Sequence, residues 1–173
     1  MLENIDKAIF YSINHGLSNS SFNFVMPMIS ETGSGPLLFA AAFILLFFKK
    51  RELKALGLIL LAGLAISYYM VSGLKVLIAR PRPFLVLPDV FLLARNNGMS
   101  FPSGHATTAF MAATILTAYF RKYAVIFYLF ASAVAVSRVY IGVHYPSDVL
   151  AGAVIGIMIG YIVVKAGPRS SIG

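Results

Sequence analysis

His144 and Asp148 stand four residues apart, with Pro146 between them. With a helix starting just before Asp148, the carboxylate reaches the imidazole, fixes its tautomer and raises the nucleophilicity of the free ring nitrogen, as the base–orienter pair of serine hydrolases does. A second histidine, His105, follows Pro102-Ser103-Gly104 and suits a general acid that protonates a leaving oxygen. Lys75, Arg82 and Arg138 form a trap for a tetrahedral anion, because arginine forks match phosphate oxygens in pairs and lysine adds a point charge. Ser103 and Gly104 lead into a helix, so their backbone N–H groups stand at a helix N-terminus, a ready anion site. Gly104 leaves room for a close approach, and the Ser103 hydroxyl is a further donor. The chemistry of such a set is phosphoryl transfer, which depends on positioning and charge stabilisation.

These residues belong at the ends of apolar runs. Runs over about 36–48, 55–73, 105–120, 123–140 and 148–164 read as five membrane spans. Several are short, which implies tilt or burial by neighbours. In residues 1–31, Ile5, Ala8, Ile9, Tyr11, Ile13 and Leu17 recur at near-helical spacing. That pattern predicts an amphipathic segment lying in the interface, followed by a connector holding Pro27 and Gly33. The expected fold class is all-α: a polytopic transmembrane helical bundle of six helices, five spans plus the N-terminal amphipathic segment. It forms a single domain over 1–173, with the chemistry between 75 and 148. With five spans, Lys75, Arg82, Ser103, Gly104, His105, Arg138, His144 and Asp148 all fall on one side of the membrane.

Composition supports a membrane chain. Hydrophobic residues make up 59% and charged residues 12% of the 173 residues, against roughly 25% charged in soluble domains. With no cysteine, thiol catalysis, thiolate metal sites and disulfides are excluded. The net charge of +8 sits largely at the ends of apolar runs, where topology and anionic headgroups account for it, so no nucleic-acid partner is expected. Lys49, Lys50, Arg51, Lys54, Arg121, Lys122, Lys165 and Arg169 share one side and are eight of the fourteen Lys and Arg. The positive-inside rule places that side in the cytoplasm and the chemistry outside, in a cell (plasma or inner) membrane. Glu3 and Asp6 stand where a cleavable signal carries basic residues, so none is expected. His15 reads as an interfacial residue, and Lys7, Lys165 and Arg169 read as snorkelling anchors. Arg80 has two readings, a ligand contact or a headgroup contact; Arg95 and Asp89, in the outward loop, have the same two.

Three stretches together resemble the type 2 phosphatidic acid phosphatase superfamily, which also includes vanadium haloperoxidases. Lys-x6-Arg-Pro matches Lys75 to Arg82-Pro83, Pro-Ser-Gly-His matches Pro102 to His105, and Ser-Arg-x5-His-x3-Asp matches Ser137-Arg138, His144 and Asp148. The resemblance implies a helical bundle, a phosphohistidine intermediate on His144, leaving-group protonation by His105 and phosphate binding by Lys75, Arg82, Ser103, Gly104 and Arg138. It also implies metal independence, so no metal or other cofactor is expected. The partners expected are the bilayer and a lipid phosphate, with inorganic phosphate or vanadate as a site ligand. Small size, an outward site and Arg80-Pro-Arg-Pro-Phe84 resemble bacterial undecaprenyl diphosphate phosphatases, and phosphatidylglycerophosphate or phosphatidic acid phosphatase activity stands close behind. A non-enzymatic anion channel or small transporter explains basic residues at a pore mouth, but it does not call for a His-x3-Asp pair beside a second histidine.

Overall fold

The computed structural model describes residues 2–167; Arg169, assigned above to the anchoring cluster, lies outside them. Among the described residues all regular structure is helical. The order is α1 Leu2–Asn14, α2 Ser20–Thr32, α3 Gly35–Leu45, α4 Arg51–Ile78, α5 Pro83–Val86, α6 Gly104–Tyr119, a single 3₁₀ turn at Arg121–Tyr123, α7 Ala124–Tyr140 and α8 Pro146–Ala166. Among the described residues Arg51–Val86, Arg121–Tyr140 and Pro146–Ala166 are long and apolar enough to cross a bilayer. The pair α2 and α3 passes the same test only when taken together, across a 50° bend. A large apolar exterior, including Phe47, Tyr69, Val76 and Leu77, is left for lipid to cover.

Two segments differ from the expectation. Residues 20–32, read as part of a connector, form the helix α2, with the Asn19 side chain accepting from the Phe22 N–H at its start. The break then falls at Gly33-Ser34-Gly35-Pro36, where Pro36 has no N–H to continue the helical ladder. Residues 2–14 form a helix as expected, but it is not held by the interface alone: Phe10 is fully buried against Ala106, Val139 and Val149.

Helix α6 is central, packed on α8, α7 and α4. At 16 residues it is about 24 Å long, shorter than a hydrocarbon core of roughly 30 Å. One core cluster joins Leu56, Ile59 and Leu60 of α4 to Met111 and Ile115 of α6 and Ile159 of α8. Along α8, Gly152, Gly156 and Gly160 form a small-residue stripe facing α6. A Cβ placed on Gly156 would lie 2.3 Å from the Thr107 carbonyl oxygen, so only glycine permits this approach. At the head of the stripe the Ser103 N–H donates to the Asp148 carbonyl at 3.0 Å, locking the start of α6 to the start of α8.

Candidate active site

The starts of α6 and α8, the ends of α4 and α7, and the N-cap of α5 at Arg82 bring all eight expected residues to one end of the bundle. Asp148 occupies the first turn of α8, where Pro146 is tolerated because the first turn has no helical acceptor for an N–H. Its Oδ2 accepts from the Tyr145 N–H at 2.9 Å and lies 3.5 Å from His144 Nδ1. The Ser100 hydroxyl donates to the same oxygen and sits 3.5 Å from His144 Nδ1. On the far side of the ring, Arg82 Nη1 donates to His144 Nε2 at 3.3 Å. The hydrogen bonds therefore assign the proton to Nδ1 and the lone pair to Nε2. Burial pushes the His144 imidazole down to about 3; the Asp148 hydrogen bond opposes this shift and the Arg138 and Arg82 charges add to it. The ring is neutral at physiological pH.

Arg82 is itself buried and fixed by backbone carbonyls, donating through Nε to Gly98 at 2.9 Å, through Nη2 to Asn97 at 3.1 Å and through Nη1 to Val143 at 3.0 Å. Arg138 donates from Nη1 to the Ser30 hydroxyl of α2 at 2.5 Å, and its Nη2 meets the Asn96 side-chain oxygen once that amide is oriented to accept. Arg138 Nε is buried with no partner, and so is His105 Nε2. Burying two such groups unpaired is costly, and a phosphate oxygen satisfies both kinds. Lys75 Nζ donates to the Met99 carbonyl. Ser103 departs from the expectation in one respect. Its backbone N–H is committed to Asp148 and its hydroxyl accepts from the Ala106 N–H as the N-cap, so what remains for a ligand is the hydroxyl proton. A Cβ on Gly104 would meet only Val71, at 3.8 Å, so the approach there is open.

From His105, Gly104 and Lys75 a cavity of about 630 Å³ runs between α3, α4 and α6, past Val71, Leu64 and Phe39. Its lining is predominantly apolar, and it joins the polar cluster to the lipid-facing side of the bundle. Among the described residues no three His, Asp or Glu side chains gather as a metal site would require.

The profile of the PAP2 superfamily matches residues 56–171, more than half the chain. The chain belongs to the PAP2 superfamily. It is 31% identical over 159 residues to an undecaprenyl-diphosphatase of Sulfolobus acidocaldarius, covering 91% of this chain and 76% of that protein. The crystal structure of LpxE from Aquifex aeolicus is similar with a TM-score of 0.77 at 31% identity, covering 93% of this chain and 95% of that one. A PAP2 type phosphatidylglycerolphosphate phosphatase of Bacillus subtilis gives a TM-score of 0.83 at 27% identity, with 95% and 85% covered. The chain is a multi-pass membrane hydrolase acting on phosphoric ester bonds of lipids.

Within this PAP2 chain three residues at the site carried no signal in the sequence. Ser100 and Ser30 are single serines in unremarkable settings, and only the fold shows them on Asp148 and Arg138. Asp6 lies outside the motifs altogether, yet its carboxylate reaches Arg80 and Ser147. Arg80, read as a ligand or a headgroup contact, has both Nη groups on carboxylates, Asp148 Oδ1 and Asp6 Oδ2, each at 2.7 Å. His15, read as an interfacial residue, has its Nε2 2.6 Å from the Asp89 carbonyl oxygen.

Proposed function

We propose that this chain is a metal-independent lipid phosphatase that works through a phosphohistidine on His144, with undecaprenyl diphosphate as its favoured substrate. The observation that carries the reading is the His144 ring, held by Asp148 at Nδ1 with its Nε2 lone pair directed to the cations, beside the unpartnered His105 Nε2. Nε2 attacks phosphorus and the bond from phosphorus to the leaving oxygen breaks. His105 Nε2–H gives its proton to that oxygen, while Asp148 stabilises the positive charge arriving on the phosphorylated ring. Water then attacks phosphorus, His105 takes the water proton, and phosphate leaves with His144 restored. Lys75, Arg82, Arg138, the Ser103 hydroxyl and the start of α6 at Gly104 balance the charge on the equatorial oxygens.

The apolar cavity ending at His105 supports a lipid that enters sideways, with its phosphate at the cations and its chain between α3 and α4. Similarity to the Sulfolobus undecaprenyl-diphosphatase across 91% of the chain favours a polyprenyl diphosphate. We place the site on the extracytoplasmic side of the cell membrane. In this arrangement the whole chain is one domain of five spans: α2 and α3 as one bent span, then α4, α6, α7 and α8.

The test is phosphate release in EDTA from undecaprenyl diphosphate, phosphatidylglycerophosphate and phosphatidic acid, by the detergent-solubilised chain and by His144→Ala. The expected result is release by the parent alone, fastest from undecaprenyl diphosphate. A faster reaction with either glycerolipid transfers the assignment to that lipid. Activity abolished by EDTA, or retained by His144→Ala, overturns the mechanism.

A further inference from the structure

Six Asp and Glu residues occur in the chain, and only Asp6 and Asp148 are buried. Both are bound by the same guanidinium. Arg80 Nη1 donates to Asp148 Oδ1 and to the Ser147 hydroxyl, each at 2.7 Å, and Nη2 donates to Asp6 Oδ2 at 2.7 Å. The ring of Tyr145 lies against the guanidinium, 3.9 Å from its centroid to the central carbon. Asp6 in turn accepts from the Ser147 N–H at 2.9 Å and the Ser147 hydroxyl at 2.6 Å, which sets its negative charge at the N-terminus of α8, where the helix dipole favours it.

We infer that Asp6 and Arg80 are a positioning pair that holds the Asp148 carboxylate against His144, which makes the N-terminal helix a working part of the active site. The χ2 torsion of an aspartate is broad, so a carboxylate is oriented only when both its oxygens are held. Oδ2 has Tyr145, Ser100 and His144, whereas Oδ1 has Arg80. Removing Arg80 frees Oδ1 and lets the carboxylate turn. Removing the Asp6 charge leaves the guanidinium with one carboxylate partner and unfastens α1 from the start of α8. A planar fork is required to bridge two carboxylates, which a lysine in place of Arg80 does not supply. With both Nη groups on carboxylates, Arg80 acts through Asp148.

The inference rests on the phosphatase reading for its kinetic arm, and a second arm does not need turnover. Asp6→Asn, Asp6→Glu and Arg80→Gln are compared with the parent in detergent, after size-exclusion chromatography shows a folded chain. Steady-state phosphate release from undecaprenyl diphosphate is measured, together with the ¹⁵N-histidine NMR signal of the His144 Nδ1–H, assigned by its loss in His144→Ala. Asp6→Asn and Arg80→Gln are expected to lower kcat about tenfold or more, the scale seen when outer partners of a ligand are removed. KM stays within about twofold, since the phosphate contacts are intact, and the Nδ1–H signal shifts or broadens. Asp6→Glu recovers part of kcat and of the signal. A raised KM at unchanged kcat in Arg80→Gln would mean a direct substrate contact and overturn the inference, as would an unmoved Nδ1–H signal or Asp6→Glu behaving like Asp6→Asn. If Arg80→Gln does not fold, the two Asp6 variants decide. A parent that hydrolyses no lipid phosphate defeats the phosphatase reading, and the histidine spectrum then decides the positioning by itself.

Discussion

A nucleophilic histidine has to be neutral, oriented and close to its target, and His144 meets the first two conditions through its surroundings. Its folded value lies far below the ordinary histidine value of about 6.5, so the unfolded chain takes up this proton first. The sign follows: the stability contributed here is complete above about pH 6.5 and falls as the pH drops from there toward 3. We predict that the parent loses thermal stability in detergent between pH 7.5 and pH 5 more steeply than His144→Gln, which cannot protonate there. Equal slopes in the two proteins would contradict a buried neutral imidazole. The eight residues read from the motifs were legible because phosphoryl transfer needs particular types: a paired histidine, a second histidine and permanent cations. Ser100, Ser30 and Asp6 were not, because a serine or a surface-like aspartate takes its role from whatever the fold sets beside it.

At the scale of elements, the α6–α8 contact fixes the distance between His105 and the His144–Asp148 pair, since these residues open the two helices. Gly156 is its closest point, and the atom facing it is backbone, which cannot give way as a side chain can. Gly156→Val is expected to cost on the order of 1–3 kcal/mol and to reduce activity, measured as a lower Tm and lower phosphate release. Gly73→Ala is the control. Nothing lies within 4 Å of its added Cβ, so helix propensity leaves it equal to the parent or slightly more stable. Equal Tm values for Gly156→Val and the parent would show that the helices are not held apart by this contact. The long apolar runs announced α4, α7 and α8 well before any packing was known. α2 was hidden because Ser20, Ser21, Asn23 and Pro27 interrupt its apolar pattern. Its helix is supported by packing on α7 and by the Ser30–Arg138 hydrogen bond, both long-range contacts.

For the whole molecule, the apolar cavity predicts a division between substrates. On the proposed reading a lipid phosphate fills the groove between α3 and α4, while a water-soluble ester reaches the cations without it. Ala65 lines the groove ten residues, or about 15 Å of helix, from Lys75. Ala65→Trp is expected to raise KM for undecaprenyl diphosphate by about tenfold or more and to leave p-nitrophenyl phosphate hydrolysis close to that of the parent, measured side by side in detergent. Equal losses for both substrates would point to damage at the site, and no loss for either would remove the groove from the lipid path. The bundle as a membrane protein was legible in bulk composition, whereas the groove was not, because it is a gap between helices far apart in sequence.

The central claim is a covalent phosphoryl group on one nitrogen. Rapid mixing with ³²P-labelled undecaprenyl diphosphate in EDTA, an alkaline quench that preserves phosphohistidine, and peptide mapping test it directly. The account predicts label on the peptide containing His144, appearing before free phosphate and absent in His144→Ala. Turnover in the parent with no labelled peptide, or with label on another residue, would contradict it.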